Sequence, residues 1–516
     1  MSRPSSPSLP NLPDQQPHPG PDADVWRPSA EPATNKWVVF AIVAIGVFMS
    51  TVDSSIVNIS LPAIASFFGV PLNGAVEWVV IVYLVVIAAT LLTIGRLADM
   101  TGRKAIWTAG LAIFTTGSAL SGAAPTLGFL IAARGFQAIG GSLLFAVSAA
   151  MLTGAFPASE RGRVLGMNAL IVALGVSVGP TLGGFITEFL TWRWIFYVNV
   201  PLGIIGVFAT LRLLHEPKRA GRGRFDPTGA LLLTIGLASI TLGLSFGQEW
   251  GWSSPQLIAS LVIGTVALVA LVIVERIVRN PIVPLSLFRN RVFASANLSL
   301  TLSFLALFAV SFMMPFYLEQ LRGFSLIDSG LLLTPLPLTI AVFAPFSGRL
   351  ADRIGTRWLA ATGLAIACLG LVFLSQLQAN SSVFDIAWRL VVIGFGQALF
   401  QSPNNSALMG SAPGAAQGVA SGFLATGRVI GQSTSVALAG AIFTSLGGAV
   451  AGAQLHKIVL GLGPHSFPPG YVAAAQQTFV GAFHATFLVC AAVAVVGVFA
   501  SLVRGKEDRR LVARRV

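Results

Sequence analysis

The sequence predicts an all-α polytopic membrane protein, on the strength of three observations. Of the 516 residues, 54% are hydrophobic and only 10% are charged, and the mean hydropathy is +0.80, whereas soluble domains carry about 25% charged residues. Apolar runs of about 20 residues, long enough for a helix to cross a bilayer, recur from Trp37 to Val503. The run from Val79 to Ile94 lacks the alternation of a membrane β-strand. We therefore set aside a soluble fold and a β-barrel.

Polar breaks divide the apolar runs into fourteen predicted transmembrane helices, arranged as two sets of six with a pair between them. The predicted domains are a disordered tail (1–36), a first six-helix bundle (37–215), an inserted two-helix segment (216–291), a second six-helix bundle (292–503) and a basic tail (504–516). The first 36 residues lack the pattern of a signal peptide. The spans are predicted near 38–60, 75–95, 105–124, 126–148, 164–187, 194–213, 227–247, 256–276, 293–317, 328–348, 359–377, 386–409, 416–445 and 479–503.

The net charge of +13 is distributed unevenly between the two sides of the predicted membrane. With the amino terminus in the cytoplasm, most Lys and Arg fall in cytoplasmic loops and in the two tails, as the positive-inside rule requires. We therefore predict a cell-membrane protein, in the plasma or inner membrane, with both termini cytoplasmic. The basic loops would contact anionic lipid headgroups, so the charge gives no reason to expect nucleic acid. The opposite side keeps Arg193, Arg322, Arg389 and Lys457.

The sequence gives no indication of a metal site, a disulfide, a cofactor or an oligomeric state. Its two cysteines, Cys368 and Cys490, lie far apart inside apolar segments. It has no G-x-x-x-x-G-K-[ST] phosphate loop, no His-Glu-x-x-His zinc motif and no paired catalytic carboxylates in a span. We therefore expect neither a cofactor nor an enzymatic activity.

One loop pattern occurs twice, at 95–104 and at 348–357, each time after the second helix of a six-helix set. This repeat indicates two halves related by duplication, which in one class of transporters rock about a central site. The aspartate can accept bonds from a nearby arginine or from the amino end of another helix. We interpret the loops as cytoplasmic gates; the alternative is a solvated loop that obeys the charge rule. The gating residues are Gly95, Asp99, Gly102, Arg103, Lys104, Gly348, Asp352, Gly355 and Arg357.

This glycine, aspartate, glycine and basic pattern resembles the signature loop of the major facilitator superfamily. Residues 130–141 resemble its fourth-helix motif, which contains a buried arginine, and residues 175–184 resemble its fifth-helix antiporter motif. Residues 53–62 and 192–201 resemble stretches of the fourteen-span drug:proton antiporters. The resemblance implies a helix bend in the fifth span, although a small-residue packing face would give the same glycines. The bend residues are Gly175, Gly179, Pro180, Gly183 and Gly184.

Two charged residues within predicted spans are the strongest candidates for proton coupling. A carboxylate such as Asp53 in mid-span costs about 2.5–3.5 kcal/mol on insertion scales, so it usually faces a cavity, a partner or a proton pathway. Arg134 stays charged and must be paired or hydrated. The resemblance assigns proton coupling to both. The alternatives are an aspartate bonded to Ser54, Ser55 or Asn58, and an arginine bonded to helix carbonyls.

Four further polar residues are candidates for substrate binding or coupling. Arg428 is placed in a span of the second half, as Arg134 is in the first. Glu319 stands where relatives more often carry a neutral residue, and it could assist recognition of a cation. Asn58 and Gln137 lie within the stretches that carry the resemblance.

The predicted function is secondary transport, in which protons enter down their gradient while an amphipathic, drug-like compound leaves. Both would use alternating exposure of one central cavity. The alternative on the same fold is a transporter of one metabolite, such as an amino acid, a sugar or a lipid. A receptor or scaffold without transport is disfavoured, because both gating loops and Asp53 are retained.

Overall fold

The protein is described here by a computed structural model that covers residues 34–70, 75–215, 225–251, 253–278, 281–459 and 470–505. Within these ranges the chain forms helices and no β-strand. The prediction of an all-α polytopic membrane protein is confirmed. Most of the two predicted tails and the predicted basic loop at 216–224 lie outside the described residues.

In the described residues, the first half of the molecule forms seven α-helices. The short helix α6 leads into α7, and the two together form one apolar span from Trp194 to Leu213. Gly69, with φ 64°, ends α1 beyond its predicted end near residue 60. The helices are α1 (Lys36–Phe68), α2 (Trp78–Thr101), α3 (Arg103–Gly122), α4 (Leu127–Ala155), α5 (Arg161–Phe189), α6 (Trp194–Tyr197) and α7 (Asn199–Leu213).

Two helices follow, α8 (Pro227–Trp250) and α9 (Pro255–Glu275), and they form an antiparallel pair. Gly236 and Gly264 lie where the two helices approach most closely: a Cβ atom added at Gly264 would lie 2.6 Å from Cγ1 of Ile240. α8 also packs against α2 and α15, a helix of the second half. The pair is therefore attached to the side of the molecule where α2 and α15 meet.

Over its described ranges, the second half forms eight α-helices. Pro335 begins a new helix after Thr334, so the predicted span 328–348 consists of two helices. Gly447, with φ 79°, separates α15 from α16, and the two helices are bent by 77°. The helices are α10 (Arg291–Phe316), α11 (Leu326–Leu333), α12 (Pro335–Ile354), α13 (Thr356–Leu374), α14 (Val383–Ser411), α15 (Gln417–Ser445), α16 (Gly448–Val459) and α17 (Tyr471–Leu502).

Among the described residues, 12 helical segments are long and apolar enough to cross a bilayer, and the bent pair α15 and α16 would make 13. The third predicted span does form α3, a helix of 20 residues. It is absent from this group because Lys, Arg, Thr, Ser and Gly dilute its apolar residues. The count of fourteen spans stays a prediction.

Capping side chains explain where several of these helices begin. Asn35 accepts a hydrogen bond from the backbone of Trp37, and Thr126 accepts one from Phe129. Asp226 and Ser254 do the same before α8 and α9, each followed directly by a proline. Such side chains satisfy backbone donors that have no partner within the helix, and proline suits the first helical position.

The two halves meet along two seams. In the first seam α2 packs against α15, and in the second seam α5 packs against α12. Each pair joins a helix of one half to a helix of the other half, so the seams are related by the same duplication as the two loops. This arrangement places both motif loops at one end of the molecule, which we call the loop end.

Candidate functional site

Asp99, in the first motif loop, joins the two halves at the loop end. Its Oδ1 accepts a hydrogen bond of 2.8 Å from the backbone N–H of Gly418, and its Oδ2 accepts one of 3.1 Å from Val419. Both donors belong to the first turn of α15 in the opposite half. A carboxylate in this position satisfies unpaired N–H groups and interacts favourably with the helix dipole.

Asp352, in the second motif loop, makes the equivalent contact on the second seam. Its Oδ1 accepts a hydrogen bond of 2.9 Å from the N–H of Gly162, and its Oδ2 accepts one of 3.1 Å from Arg163. These donors form the first turn of α5. Each half therefore offers one aspartate to one helix start of the other half, and we call the two contacts together the clamp.

Glycine is required where the backbones touch inside the clamp. A Cβ atom added at Gly418 would clash with the carbonyl oxygen of Gly95, and one added at Gly95 would clash with that of Gly418. Gly348 and Gly162 exclude side chains from each other in the same way on the second seam. The first glycine of each motif thus allows two helices to approach at backbone distance.

The other motif residues shape the turns. Gly102 has φ 99° and Gly355 has φ 97°, conformations that favour glycine. Arg103 is buried and donates to the carbonyl of Ala150 at 2.6 Å and to Oε1 of Gln417 at 3.3 Å. Two further basic residues lie beside the turns: Lys104 donates to the carbonyl of Leu214 at 2.5 Å, and Arg357 stacks on Trp358 with 5.3 Å from Cζ to the ring centroid.

Asp53 and Arg134 form an ion pair inside the first half, with 2.6 Å between Arg134 Nη1 and Asp53 Oδ2. Both side chains are fully buried. Oδ1 of Asp53 accepts two more hydrogen bonds, from Gln137 at 2.8 Å and from Asn199 at 3.0 Å. Ser118 accepts from these same two amides, at 3.2 and 3.1 Å. Helices α4 and α7 thus donate directly to the carboxylate on α1, and Ser118 of α3 accepts hydrogen bonds from two of these donors.

Arg134 makes hydrogen bonds and aromatic contacts in addition to its ion pair. Its Nε donates to the carbonyl of Val79 at 3.1 Å, and its Nη1 also donates to Gln137 at 2.8 Å. The guanidinium lies over the ring of Tyr83, with 4.2 Å from Cζ to the centroid, and 5.6 Å from that of Phe196. An aromatic face stabilises a desolvated cation. This arginine therefore has a helix carbonyl, a carboxylate, an amide oxygen and two rings as partners.

The serines next to Asp53 are not its partners. Ser54 donates to the carbonyl of Thr51 at 2.8 Å, and Ser55 donates to that of Val52 at 3.0 Å. For the two serines, the structure therefore does not support the alternative in which Asp53 bonds to its neighbours. The side chain of Asn58 lies outside the described part of the molecule.

The glycines of the fifth-helix motif face α1 next to Asp53. A Cβ atom at Gly175 would lie 2.9 Å from Cβ of Thr51, and one at Gly179 would clash with the hydroxyl of Ser55. Gly183 is buried, whereas Gly184 faces open space. The side chain of Pro180 lies outside the described residues. At Gly175 and Gly179 the motif thus serves as a packing face between α5 and α1.

Sequence reasoning missed three members of the Asp53 cluster: Ser118, Asn199 and Tyr83. All three are buried. Ser118 and Asn199 are polar residues within apolar helices, and such residues usually have a specific partner in a membrane. Nothing in the spacing along the chain shows that α3 and α7 bring them to Asp53.

In the second half, Arg428 and Glu319 stand apart from each other. Arg428 lies on α15 above the ring of Phe304, with 5.4 Å from Cζ to the centroid. Glu319 is half-buried in a π-helical turn, Tyr317–Leu321, at the end of α10 away from the loop end. The fully buried Arg504, just after α17, donates to Asn404 and to Thr356. Among the described residues no carboxylate pairs with Arg428.

A crevice opens between α5 and α12 at the end opposite the loop end. Its volume is about 510 Å³. The lining is mostly apolar, and two threonines and a serine supply its side-chain hydroxyls. The lining residues are Leu174, Ser177, Val178, Thr181, Leu182, Phe185, Thr334, Pro337 and Leu338. The second seam is therefore closed at the loop end and parted at the other.

The family model described as Major Facilitator Superfamily matches residues 43–436. The chain belongs to this superfamily. Like its relatives, it is a membrane transporter of small molecules and not an enzyme. The paired clamp and the two seams are thus features of a facilitator.

Curated relatives of this facilitator cover most of its length. Riboflavin transporter RibZ of Clostridioides difficile is 36% identical over 414 residues, which are 80% of this chain and 88% of that protein. Multidrug resistance protein Stp of Mycobacterium tuberculosis is 32% identical over 402 residues, 78% of this chain and 74% of that protein. The crystal structure of the human organic anion transporter MFSD10 (TETRAN) shares the fold, with a TM-score of 0.63, 14% identity and coverage of 90% and 99%.

Proposed function

We propose that this facilitator is a proton-coupled exporter of amphipathic, drug-like compounds, a drug:proton antiporter of the fourteen-span type. The observation that carries the proposal is the buried ion pair of Asp53 and Arg134, whose Oδ2 and Nη1 atoms are 2.6 Å apart. A buried ion pair is costly to desolvate and contributes little net stability. A functional reason for keeping it is reversible protonation of the carboxylate.

The proposed step begins when a proton binds to Oδ2 of Asp53. Neutral Asp53 no longer attracts Arg134, which keeps its bond to the carbonyl of Val79 and its place above Tyr83. The rearranged α1 moves α5, because Thr51 and Ser55 pack on the glycines of that helix. The start of α5 is held by Asp352. Protonation in the core is thereby linked to release of the clamp.

We propose that the loop end faces the cytoplasm, with both termini on that side. The positive-inside rule supports this orientation, because the loops at this end carry most of the basic residues. The clamp is then a closed cytoplasmic gate, and the crevice between α5 and α12 is open towards the outside. The name of the mycobacterial relative, a multidrug resistance protein, supports export.

The second candidate is transport of one defined metabolite. The relative with 36% identity is named a riboflavin transporter, so a single flavin-like substrate has a specific observation in its favour. The two candidates differ in selectivity. An exporter of drug-like compounds exchanges protons for several unrelated amphiphiles, whereas a metabolite transporter responds to one.

Transport by purified protein in liposomes with an imposed pH gradient tests the proposal. The parent should exchange protons for lipophilic dyes, and Asp53→Asn should lose proton exchange while still binding dye. Asp328→Asn, which removes an exposed aspartate from the opposite end, is the matched control and should behave like the parent. Equal dye and proton flux in Asp53→Asn would refute the coupling, and stimulation by riboflavin alone would refute drug export.

A further inference from the structure

Arg428 lies deep in the second half. It is the twelfth residue of α15, which runs from Gln417 to Ser445. At about 1.5 Å per residue it therefore lies about 17 Å along the helix from the loop end. That is close to mid-depth in a hydrocarbon core of about 30 Å. α15 also touches α2 and α4 of the first half, so Arg428 belongs to the region where the two halves face each other.

The guanidinium of Arg428 has no counter-ion in the described part of the molecule. It takes part in neither a hydrogen bond nor an ion pair there, and its one directional contact is the ring of Phe304. Other membrane-embedded or loop arginines differ: Arg134 is paired with Asp53, and Arg389 with Asp385. An arginine in mid-membrane is expected to be paired or hydrated, because an isolated charge there is costly.

The charge balance of the core is therefore positive. Asp53 and Arg134 neutralise each other inside the first half. Glu319 lies at the far end of α10, away from the middle of the membrane. Within the described residues the positive charge of Arg428 is thus uncompensated in the region between the halves, and a region with an excess of one charge attracts ligands of the opposite sign.

A polar acceptor accompanies the arginine. A Cβ atom at Gly427 would lie 3.4 Å from Oδ1 of Asn297, so the amide of Asn297 lies against the backbone next to Arg428. This Oδ1 is buried without a hydrogen-bond partner in the described residues. Thr301 lies 3.0 Å from the same Cβ position. Asn297 and Thr301 thus lie in the contact between α10 and α15 next to Arg428. Thr301 donates to the carbonyl of Asn297 at 3.1 Å, so the guanidinium is the group among these that remains to bind an anion, with the ring of Phe304 beside it.

We propose that Arg428 binds the anionic group of the transported compound, so that the favoured substrates are amphiphiles carrying a carboxylate or a similar anion. A guanidinium can bind a carboxylate through two parallel hydrogen bonds. The ring of Phe304 would contact the apolar body. This inference rests on the proposed export function and narrows its substrate class from amphiphiles in general to anionic ones.

Equilibrium dialysis tests the inference with three tritiated probes of similar shape: naphthylacetate, naphthylacetamide and naphthylethylammonium. The full-length protein is held in phosphatidylcholine nanodiscs. The parent should bind the carboxylate about tenfold more tightly than the amide, and the ammonium most weakly. Arg428→Gln should weaken carboxylate binding about tenfold and change amide binding by less than about twofold.

Arg212→Gln is the matched control, because Arg212 also stacks on a phenylalanine, Phe208 at 5.1 Å, but is exposed near the loop end. It should bind all three probes like the parent. Arg428→Met is a second variant, which removes the charge but keeps a long apolar side chain. It replaces Arg428→Gln as the test of the inference should the glutamine variant aggregate. Absence of a carboxylate preference in the parent, or its survival in Arg428→Met, would overturn the inference.

An anionic lipid headgroup offers the same chemistry as an anionic substrate. Replacing phosphatidylcholine by phosphatidylglycerol in the nanodiscs distinguishes the two. The carboxylate preference should persist, and its loss would assign the site to lipid and refute the substrate class. Dialysis needs no proton gradient, so the result is independent of Asp53: a failure of coupling in liposomes leaves the dialysis result intact, and the reverse also holds.

Discussion

The carboxylate of Asp53 accepts hydrogen bonds from three side chains on two other helices: Arg134 and Gln137 of α4, and Asn199 of α7. None of the six side chains in this cluster, which also includes Ser118 and Tyr83, reaches solvent. Because no water can replace a lost partner in a buried cluster, each substitution here leaves a specific polar group buried without a hydrogen bond.

Arg134→Gln should destabilise the protein more than the loss of its own contacts suggests. It leaves the Asp53 charge buried without its counter-ion, at a cost of about 3–5 kcal/mol. The double variant Asp53→Asn/Arg134→Gln should recover much of this loss, because it removes both charges. Thermal unfolding in detergent measures the effect. A double variant no more stable than Arg134→Gln would contradict the buried-pair interpretation.

The residues of this cluster differ in how readily the sequence predicts their role. Asp53 and Arg134 are visible because a charge in an apolar run is rare. Gln137 is visible only through its place in the fourth-helix stretch. Ser118 and Asn199 are ordinary polar residues along the chain, and they gain their role from the packing of α3 and α7, which the sequence does not encode locally.

The clamp depends on helices meeting at backbone distance as well as on two aspartates. α2 approaches α15 at Gly95 and Gly418, and Asp99 then reaches the N–H groups at the start of α15. The paired loops in the sequence indicated that both halves would contain this device. They left open whether Asp99 bonds to its neighbouring arginine or to a helix start, and the structure shows that Asp99 accepts hydrogen bonds from the start of α15.

Gly418→Ala should loosen the loop end. Its methyl group would clash with the carbonyl of Gly95 and approach Oδ1 of Asp99 to 2.7 Å. Overpacking of this kind costs about 1–3 kcal/mol, and every 1.4 kcal/mol or so shifts a two-state equilibrium about tenfold. The distance between spin labels on Thr101→Cys and Gly414→Cys, in the two halves, should broaden towards longer values.

Gly410→Ala is the control for this substitution, since Gly410 lies near the end of α14 with open space around it. The native Cys368 and Cys490 are buried and should remain unlabelled. An unchanged distance distribution in Gly418→Ala would show that the glycine contact does not hold the loop end closed.

Helix ends show where local sequence signals succeed and where packing takes over. Starts marked by a cap and a proline, as at Asp226 and Ser254, lie close to their predicted positions. The break at Thr334–Pro335 was missed, because it lies within an apolar segment. α15 ends at Ser445 as predicted, but the helix α16 that follows the bend at Gly447 was not predicted, because Gln, His and Lys dilute its apolar residues. Hydropathy measures how apolar a segment is and does not measure its direction.

The two halves repeat the same plan around two seams, which fixes the relation between their ends. With fourteen spans, both termini must lie on one side of the membrane. Cysteines at Ser2→Cys and Ala513→Cys should react with an impermeant maleimide only after cells are opened. Ser253→Cys, in the turn between α8 and α9, should react in intact cells. Termini that react from opposite sides would contradict the span count and the proposed orientation.

The pair α8 and α9 makes the two flanks of the transporter unequal. α8 packs on both α2 and α15 and so shields the first seam from lipid, whereas no such cover lies over the crevice of the second seam in the described residues. An apolar compound that left the molecule sideways would contact α8 at the first seam and lipid acyl chains at the second seam. We therefore expect apolar compounds in the crevice to exchange with the bilayer along the second seam.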